Sequence, residues 1–462
     1  MDRKLLRIFI ACAALLLAAA PLCAKPWGIV TTSADYYADN ESDNESLHTI
    51  DLGQTPPVVY GPFLSGELTP RRGMGAFDIA MLPGNKKALV ATINPLFRLI
   101  GAASAPSQMP STSQISLVNL KDPTNPVLEN SIELMGEATD IAVTKDGKLA
   151  IVCLGYAYSN GFGSIAKPES SSVAFINVKD FSYELIYLGS GPAAVAADGF
   201  SMYAQSVAIS RKNIAIFTDF DNGAIHYGRI NKKRTGFESM RTLYLCEVAY
   251  DNDTNCQNQP AAPVNVAISP DGRTALVAPG FGGALFVFEI TSKGDLVPGK
   301  PFILTGLPGG SVFYEEEQTG GQLSIAFRDN KTAYVVSYRY PDGYGPLAAE
   351  PGAIPGLRPD KLCEISILGP GRTQYVAARG DMLNSNFVFP IFGFESLDIF
   401  KRHALVGNNS LQPFENDDNQ TSNNPYDNPT YNFVNYIDFE TGKMTPVELN
   451  NYGVGTGVAI KP

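Results

Sequence analysis

Histidine is scarce in this chain of 462 residues, which contains only His48, His226 and His403. Haem, copper and zinc centres depend heavily on histidine ligands, and these three residues fall in separate segments. We therefore expect no haem, copper or zinc cofactor. Neither a P-loop nor a Gly-x-Ser-x-Gly motif is evident, so an enzyme would have to rely on carboxylates, tyrosine or arginine.

Basic residues are also in deficit. The chain has 35 Lys and Arg against 46 Asp and Glu, and its formal net charge is −11 at pH 7. Nucleic acids and anionic membrane surfaces are bound by basic protein faces. We expect neither as a partner, and we expect cations or basic molecules to be favoured instead.

Long hydrophobic runs are confined to the start of the chain. A basic stretch, Asp2 to Lys4, precedes an apolar run from Leu5 to Ala20, which is typical of a secretory signal. No later segment reaches the roughly 20 apolar residues that a membrane-spanning helix needs. We predict a signal peptide over 1–24, one domain over 25–462, and export to the periplasm or outside of a Gram-negative bacterium.

Cysteine is sparse as well, and four cysteines follow the predicted signal. Cys246 and Cys256 bracket one polar loop, and export permits a disulfide, so we predict that these two residues form one. Cys153 and Cys363 lie within strand patterns, where a cysteine usually serves as a small buried apolar residue.

A short repeat dominates the rest of the sequence. Seven segments with the pattern polar, aliphatic, small, aliphatic belong to inner strands. A small residue followed by two apolar residues marks each second strand: Gly28, Ala88, Ala150, Ala215, Ala275, Ala333 and Ala404. Alternating apolar runs after each pair predict third and fourth strands. This repetition predicts an all-β, seven-bladed β-propeller.

The two chain ends complement each other in this pattern. The second strand at Gly28 has no inner strand before it, and the inner strand from Gly457 to Ile460 has no strand after it. We predict that both ends build one shared blade, which would close the ring without a free sheet edge.

Two blades resemble known repeats. Ser269-Pro270-Asp271-Gly272-Arg273, followed by Thr274 to Val277, resembles the repeat of YVTN-type bacterial propellers, and Val118 to Pro126 resembles an LVIVD-type repeat. The resemblance implies a scaffold rather than an activity, because proteins on this fold differ widely in function. The single Trp27 fits poorly with the tryptophan-rich repeats of quinone-dependent propeller dehydrogenases.

Loop lengths predict which face carries the function. Turns between first and second strands are short, whereas the loops between second and third strands are long, and rigid scaffolds usually carry their sites on such loops. The polar residues that head the inner strands should ring the channel on the long-loop face. They are Asp78, Asp140, Ser206, Asn265, Ser324 and Ser396, with Gly457 as the seventh member.

Two interpretations of this ring remain open. The side chains could form a small-ligand site in which Asp78 and Asp140 share a proton or hold a cation. Alternatively, they could simply tie the backbone of each blade to the next. Tyr338, Tyr340 and Tyr344 in a neighbouring long loop are further candidates for ligand binding, because exposed tyrosines suit protein or glycan recognition.

Two long loops of adjacent blades are rich in carboxylates and amides. Asp39, Asp43 and Glu45 lie in one loop, and Asp417 and Asp418 lie in the other. Oxygen ligands on flexible loops are what Ca²⁺ prefers, so these five residues are candidate calcium ligands. A disordered acidic loop is the alternative.

The main functional expectation is an exported, non-catalytic interaction protein. Its long-loop face would bind another protein or an extracellular ligand, with calcium ordering the loops. The alternative is a carboxylate- or metal-dependent propeller enzyme, similar to propeller lactonases or lyases, with its site at the mouth of the central channel. Replacement of Asp78 and Asp140 by asparagine would separate the two.

Overall fold

The protein is described here from a computed structural model. The described residues are 25–33, 46–68, 75–93, 112–136, 138–154, 172–187, 204–220, 223–245, 248, 263–279, 284–299, 302–303, 321–338, 360–383, 396–407, 433–450 and 454–462. The predicted signal peptide and the predicted disulfide between Cys246 and Cys256 lie outside these residues. Among the described residues, no helix is long and apolar enough to cross a bilayer.

The described residues form twenty-nine β-strands, and the pairings among them are antiparallel. Blade 1 contains β4 (Gly75–Met81), β5 (Lys87–Ile93), β6 (Thr112–Asn119) and β7 (Val127–Met135). Blade 2 contains β8 (Ala138–Val143), β9 (Leu149–Leu154), β10 (Ser172–Asn177) and β11 (Tyr183–Tyr187). Blade 3 contains β12 (Ala204–Ile209), β13 (Ile214–Asp219), β14 (Ala224–Ile230) and β15 (Phe237–Tyr244).

The remaining blades follow the same order along the chain. Blade 4 contains β16 (Pro263–Ile268), β17 (Thr274–Pro279), β18 (Ala284–Ile290), β19 (Leu296–Pro298) and β20 (Phe302–Ile303). Blade 5 contains β21 (Gly321–Phe327), β22 (Thr332–Tyr338), β23 (Asp360–Gly369) and β24 (Arg372–Leu383). Blade 6 contains β25 (Leu397–Phe400), β26 (His403–Val406), β27 (Phe433–Asp438) and β28 (Lys443–Glu448).

Blade 7 is built from both ends of the chain. Its inner strand is β29 (Val454–Lys461), and β1 (Trp27–Ser33), β2 (Ser46–Asp51) and β3 (Val58–Phe63) continue it outward. β29 pairs with β1 from the Trp27–Lys461 partners to the Ser33–Val454 partners. The predicted seven-bladed propeller with one blade shared by the termini is therefore confirmed.

The hydrophobic core lies between the blades. In the described residues, seven clusters of buried side chains occur, and each one fills the space between two neighbouring blades. A strand in the middle of a blade buries both of its faces, so its sequence is continuously apolar rather than alternating. This packing explains the repeated alanine of the second strands. All six copies have no exposed surface: Ala88, Ala150, Ala215, Ala275, Ala333 and Ala404.

Gly28 replaces that alanine in blade 7 for a steric reason. A Cβ atom at Gly28 would lie 2.5 Å from Cδ1 of Leu405 in blade 6 and 3.3 Å from Cβ of Ile50. Contacts of 2.5 Å do not occur between carbon atoms in well-packed interiors. The glycine therefore lets the shared blade approach its neighbour closely.

The two cysteines of the strand patterns are buried, as the sequence predicts. Cys153 in β9 and Cys363 in β23 have 0% and 2% exposed surface. Cys153 packs in the cluster between blades 2 and 3, and Cys363 packs in the cluster between blades 4 and 5.

His48 is a buried polar residue in β2. Its side chain has no exposed surface, and neither ring nitrogen has a hydrogen-bond partner among the described residues. Burial lowers the pKa of His48 to about 4 because a charged imidazole would lose its hydration. The folded protein therefore holds this ring neutral throughout the pH range in which the unfolded chain protonates it.

This depressed pKa predicts an acid-dependent loss of stability. The unfolded chain binds a proton near pH 6.5, whereas the folded protein binds it only near pH 4. The stability contributed by neutral His48 is therefore fully present above pH 6.5 and declines as the pH falls toward 4. At about 1.4 kcal/mol per pKa unit, the loss is about 3 kcal/mol.

The measurement is urea unfolding of wild-type protein and of His48→Leu between pH 7 and 4. The difference between the two proteins should change by about 3 kcal/mol over this range, with the leucine variant less sensitive to acid. The subtraction removes contributions from carboxylates, which titrate alike in both proteins. Parallel curves for the two proteins would contradict the expectation.

Candidate active site

The predicted ring of polar residues exists, and it links the blades in sequence. Each side chain accepts a hydrogen bond from the backbone N–H that follows the corresponding residue of the next blade. The bonds are Ile141 N to Asp78 (2.8 Å), Val207 N to Asp140 (2.8 Å), Val266 N to Ser206 (3.3 Å), Ile325 N to Asn265 (3.1 Å), Leu397 N to Ser324 (3.2 Å) and Val458 N to Ser396 (3.0 Å). The blade-tying interpretation therefore holds for all six side chains.

The ring lies toward the long-loop face, as predicted. In blade 1, Asp78 pairs with Ala91, close to the point where β5 runs into the loop that follows residue 93. In blade 2, Asp140 pairs with Cys153, one residue before the end of β9. The inner strands thus present these side chains around the channel at the same level.

A backbone irregularity precedes the ring residue in most blades. The inner strands of blades 1, 2, 3, 4, 5 and 7 each carry one extra residue relative to the second strand, within the two or three residues up to the ring position. Such bulges increase the local twist and redirect the following side chain. The sequence does not reveal these bulges, because one inserted residue leaves the local apolar pattern readable.

The ring is incomplete at the seam between blades 7 and 1. Gly457 has no side chain, so it cannot offer an acceptor to the backbone of Ile79 as the other ring members do for their neighbours. Asp78 instead engages the N–H of Ile79 itself, in addition to that of Ile141. Asp78 therefore borders the one position of the ring that lacks a side chain.

Asp78 and Asp140 form a carboxyl pair across the interface of blades 1 and 2. The two side chains share a hydrogen bond. Burial and the negative charge of Asp140 raise the pKa of Asp78 well above its ordinary value, so Asp78 carries the shared proton. Burial also raises the pKa of Asp140, but hydrogen bonds from Asp78, Ser206 and Val207 favour its ionised form.

Ser206 strengthens the assignment of charge within the pair. Its hydroxyl donates to Oδ2 of Asp140 at 2.5 Å, and the N–H of Val207 donates to the same oxygen at 2.8 Å. Both hydrogen bonds favour the ionised form of Asp140 over its protonated form. The hydrogen bonds therefore favour a proton on Asp78 and a negative charge on Asp140, whereas burial opposes the ionisation of both carboxyl groups.

Asp398 supplies a third carboxyl group to the channel. It occupies the small position of the inner-strand pattern, which is alanine in the other six blades. Its Oδ2 accepts the N–H of Ile460 at 2.6 Å, so it adds a second tie between blades 6 and 7. Burial raises the pKa of Asp398.

Cys153 lies next to the pair but is not a reactive nucleophile. Burial raises the pKa of its thiol well above the ordinary value, and the charges of Asp140 and Asp78 add to this effect. The thiol therefore stays protonated and serves as an apolar wall behind the carboxyl pair.

The other predicted site residues are not placed in this site. Tyr338 is the last residue of β22, and Tyr340 and Tyr344 lie outside the described residues. The same holds for all five candidate calcium ligands: Asp39, Asp43, Glu45, Asp417 and Asp418. Calcium binding therefore stays a prediction. Within the described part of the chain, no group of three or more His, Cys, Asp or Glu side chains could hold a metal ion.

Comparison with known proteins gives a consistent answer for the fold. No family model and no curated protein matches this chain. Solved structures do match over nearly the whole length. A functionally unknown protein from Desulfotomaculum acetoxidans has a TM-score of 0.58 at 12% identity, with 94% of this chain and 98% of that chain covered.

Two further matches carry activity names. The periplasmic gluconolactonase of Pseudomonas aeruginosa has a TM-score of 0.56 at 15% identity, with 95% of this chain and 99% of that chain covered. A Bacteroides fragilis protein proposed to be a 6-phosphogluconolactonase has a TM-score of 0.54 at 12% identity, with 95% and 98% covered. This chain has the fold of the gluconolactonase propellers.

These matches correct the main functional expectation. The sequence pointed first to a non-catalytic interaction protein, and the neighbours with lactonase names overturn that expectation. They favour the alternative, a lactonase-like propeller. The specific resemblance to YVTN-type and LVIVD-type repeats stays a prediction, because no family model matches.

Proposed function

We propose that this protein is a lactonase-like hydrolase that acts on a small lactone at the channel mouth. The observation that carries the proposal is the pair of Asp78 and Asp140, which share a hydrogen bond and are each held at 2.8 Å by a backbone N–H of the next blade. Pairs of titratable groups whose environments separate their charge states typically serve as acid and base. The likeness to propellers named as gluconolactonases supports the reaction class.

The proposed reaction is the addition of water to the ring ester. Asp140 accepts a proton from the attacking water, whose oxygen forms a bond to the lactone carbonyl carbon. Asp78 donates its proton to the ring oxygen as the bond from the carbonyl carbon to that oxygen breaks. The product is the open-chain hydroxy acid, and the two carboxyl groups regain their starting states by transfer of one proton from Asp140 to Asp78.

The backbone ties hold both groups in position for this chemistry. Asp140 is fixed by Ser206 and Val207 of blade 3, and Asp78 is fixed by Ile141 of blade 2. Groups locked by neighbouring blades need little rearrangement during the reaction, which is the main source of preorganised catalysis. We also place the protein in the periplasm, on the predicted signal sequence and the periplasmic gluconolactonase among the neighbours.

A lactone hydrolysis assay tests the proposal. Purified mature protein and a sugar lactone such as δ-gluconolactone are combined in a pH-stat, and spontaneous hydrolysis is subtracted. We expect a bell-shaped dependence of kcat/KM on pH. The midpoint of the acid limb should lie above the ordinary aspartate pKa of about 4, because the pKa of Asp140 is raised. The alkaline limb reflects the raised pKa of Asp78.

The direction of each limb follows from the proposed roles. Activity falls at low pH because Asp140 becomes protonated, and it falls at high pH because Asp78 loses its proton. The proposed function would be overturned if five- and six-membered lactones, both sugar lactones and simple ones, were hydrolysed no faster than the spontaneous rate. A rate that rises continuously with pH would overturn the assignment of Asp78 as the acid.

A further inference from the structure

A cavity of about 650 Å³ opens on the face opposite the carboxyl ring. It lies where the first turns of blades 5 and 6 meet the start of β1, and Pro26, Phe400 and His403 form part of its wall. Ligand pockets commonly have volumes of about 300–1,000 Å³. The turns of this face are short, so the sequence predicts no site there.

The charged side chains that line this cavity differ in whether they have an oppositely charged or hydrogen-bonding partner nearby. Glu440 pairs with Arg402, and Asp329 accepts the N–H of Lys331 in its own turn at 2.7 Å. Lys401 and Arg328, which also line the cavity, have no carboxylate within 4 Å among the described residues. The acidic side chains are therefore engaged locally, whereas Lys401 and Arg328 lack a carboxylate partner among the described residues. Arg328 also forms a hydrogen bond with the Tyr334 hydroxyl.

Aromatic rings hold these two cations in place. The ammonium of Lys401 lies 5.0 Å from the centre of the Phe400 ring, and the guanidinium of Arg328 lies 5.5 Å from the centre of the Phe439 ring. Cation–π contacts of this kind orient a cation without neutralising its charge. Both positive groups thus lie over aromatic rings, Lys401 in the first turn of blade 6 and Arg328 in the first turn of blade 5.

The backbone of Lys401 is a second, independent observation. Its φ is +56°, in the left-handed region that costs energy for residues other than glycine. The turns of blades 1 to 4 place Gly or Asn at their left-handed positions: Gly84, Asn85, Gly147, Asn213 and Gly272. Blade 6 alone among these described turns has a lysine there. Such strained positions concentrate at ligand-binding sites.

We propose that this cavity binds a small organic anion, with its carboxylate or phosphate group between Lys401 and Arg328 and its apolar body against Pro26 and Phe400. The site is independent of the carboxyl pair, because it lies on the other face of the propeller. His403 contributes a neutral wall, since its Nδ1 is 2.7 Å from the Tyr436 hydroxyl and the Nε of Arg402 donates to its Nε2 at 3.4 Å.

Calorimetric titration with benzoate, phenyl phosphate and benzyl alcohol tests this site. We expect saturable binding of at least one of the two anions and none of the neutral alcohol. The tighter anion identifies whether the site prefers a carboxylate or a phosphate. Lys401→Asn should weaken that binding by about tenfold or more, since one charged hydrogen-bond donor is lost.

The asparagine variant also separates binding from folding. Asparagine tolerates the left-handed region better than lysine, so Lys401→Asn should keep or raise the melting temperature while it loses affinity. Lys233→Asn, in the exposed outer turn of blade 3, is the matched control and should bind as wild type does. Absence of saturable binding by wild type, or equal affinity of wild type and Lys401→Asn, would overturn the proposal.

Discussion

Replacement of Asp140 by asparagine is expected to lower kcat/KM for lactone hydrolysis by about 10²–10⁴-fold, the usual effect of losing a general base. The asparagine oxygen can still accept the N–H of Val207 and the hydroxyl of Ser206. An amide cannot take up a proton from water at neutral pH. The variant therefore removes the proposed chemistry and keeps the tie between blades 2 and 3.

Asp78→Asn is the partner experiment, and it should shift the pH profile as well as the rate. Loss of the acid removes the alkaline limb, because no group with a strongly raised pKa is left to donate the proton. Asparagine at position 78 does not titrate, so the remaining acid limb should report the pKa of Asp140 alone.

Asp398→Asn is the matched control, because it changes a third channel carboxyl group that also bonds to backbone. Its oxygen can keep the contact with the N–H of Ile460, so kcat/KM should change by no more than a few-fold. Melting temperatures of all three variants show that the fold is intact. Full activity of a folded Asp140→Asn protein would contradict the assignment, and an equal loss in Asp398→Asn would show that the effect is not specific to the pair.

Deletion of residues 454–462 is expected to abolish cooperative folding. The deletion removes β29, which is the inner strand of blade 7 and pairs with β1. It also removes the side chains of β29 that pack in the clusters facing blade 1 and blade 6. Val458, Ala459 and Ile460 are only 3%, 3% and 4% exposed. Burial of each large aliphatic side chain contributes about 1.5–3 kcal/mol, and the backbone pairing adds to this.

The free energy lost with the buried side chains and the backbone pairing of β29 is a large part of the 5–15 kcal/mol that stabilises a typical domain. Circular dichroism melts and size-exclusion chromatography provide the measurement, and the truncated chain should show no sharp transition and should associate through the exposed edge of β1. Removal of Pro462 alone is the control and should leave the melting temperature unchanged. A truncated chain that melts as sharply as wild type would show that β29 is dispensable for closing the ring.

Much of the fold could be predicted from the sequence because the same physical demand recurs in every blade. Second strands bury both faces between two blades, so a small residue and two apolar residues recur at each one, as at Ala88 and Ala275. The seventh copy at Gly28 and the last inner strand, Gly457 to Ile460, were sufficient to predict the shared blade. Both signals are local, so a single sequence reveals them.

The carboxyl pair was less predictable. The sequence places Asp78 and Asp140 on neighbouring inner strands, but it does not decide between a ligand site and a tie between blades. The structure shows that both side chains accept backbone N–H groups and also share a hydrogen bond with each other. The charge states depend on burial and on Ser206 of a third blade, and none of these is encoded in the spacing along the chain.

By itself, then, the sequence determined the architecture of this protein, since strand periodicity, the repeated small residue and the complementary ends are properties of neighbouring residues along the chain. Only the tertiary structure decided the chemistry. The proton held by Asp78, the position of Asp398 and the cations around Lys401 each depend on groups from two or three blades that meet after the ring has closed. Electrostatic interactions act through space, so they appear only once the fold has brought those groups together.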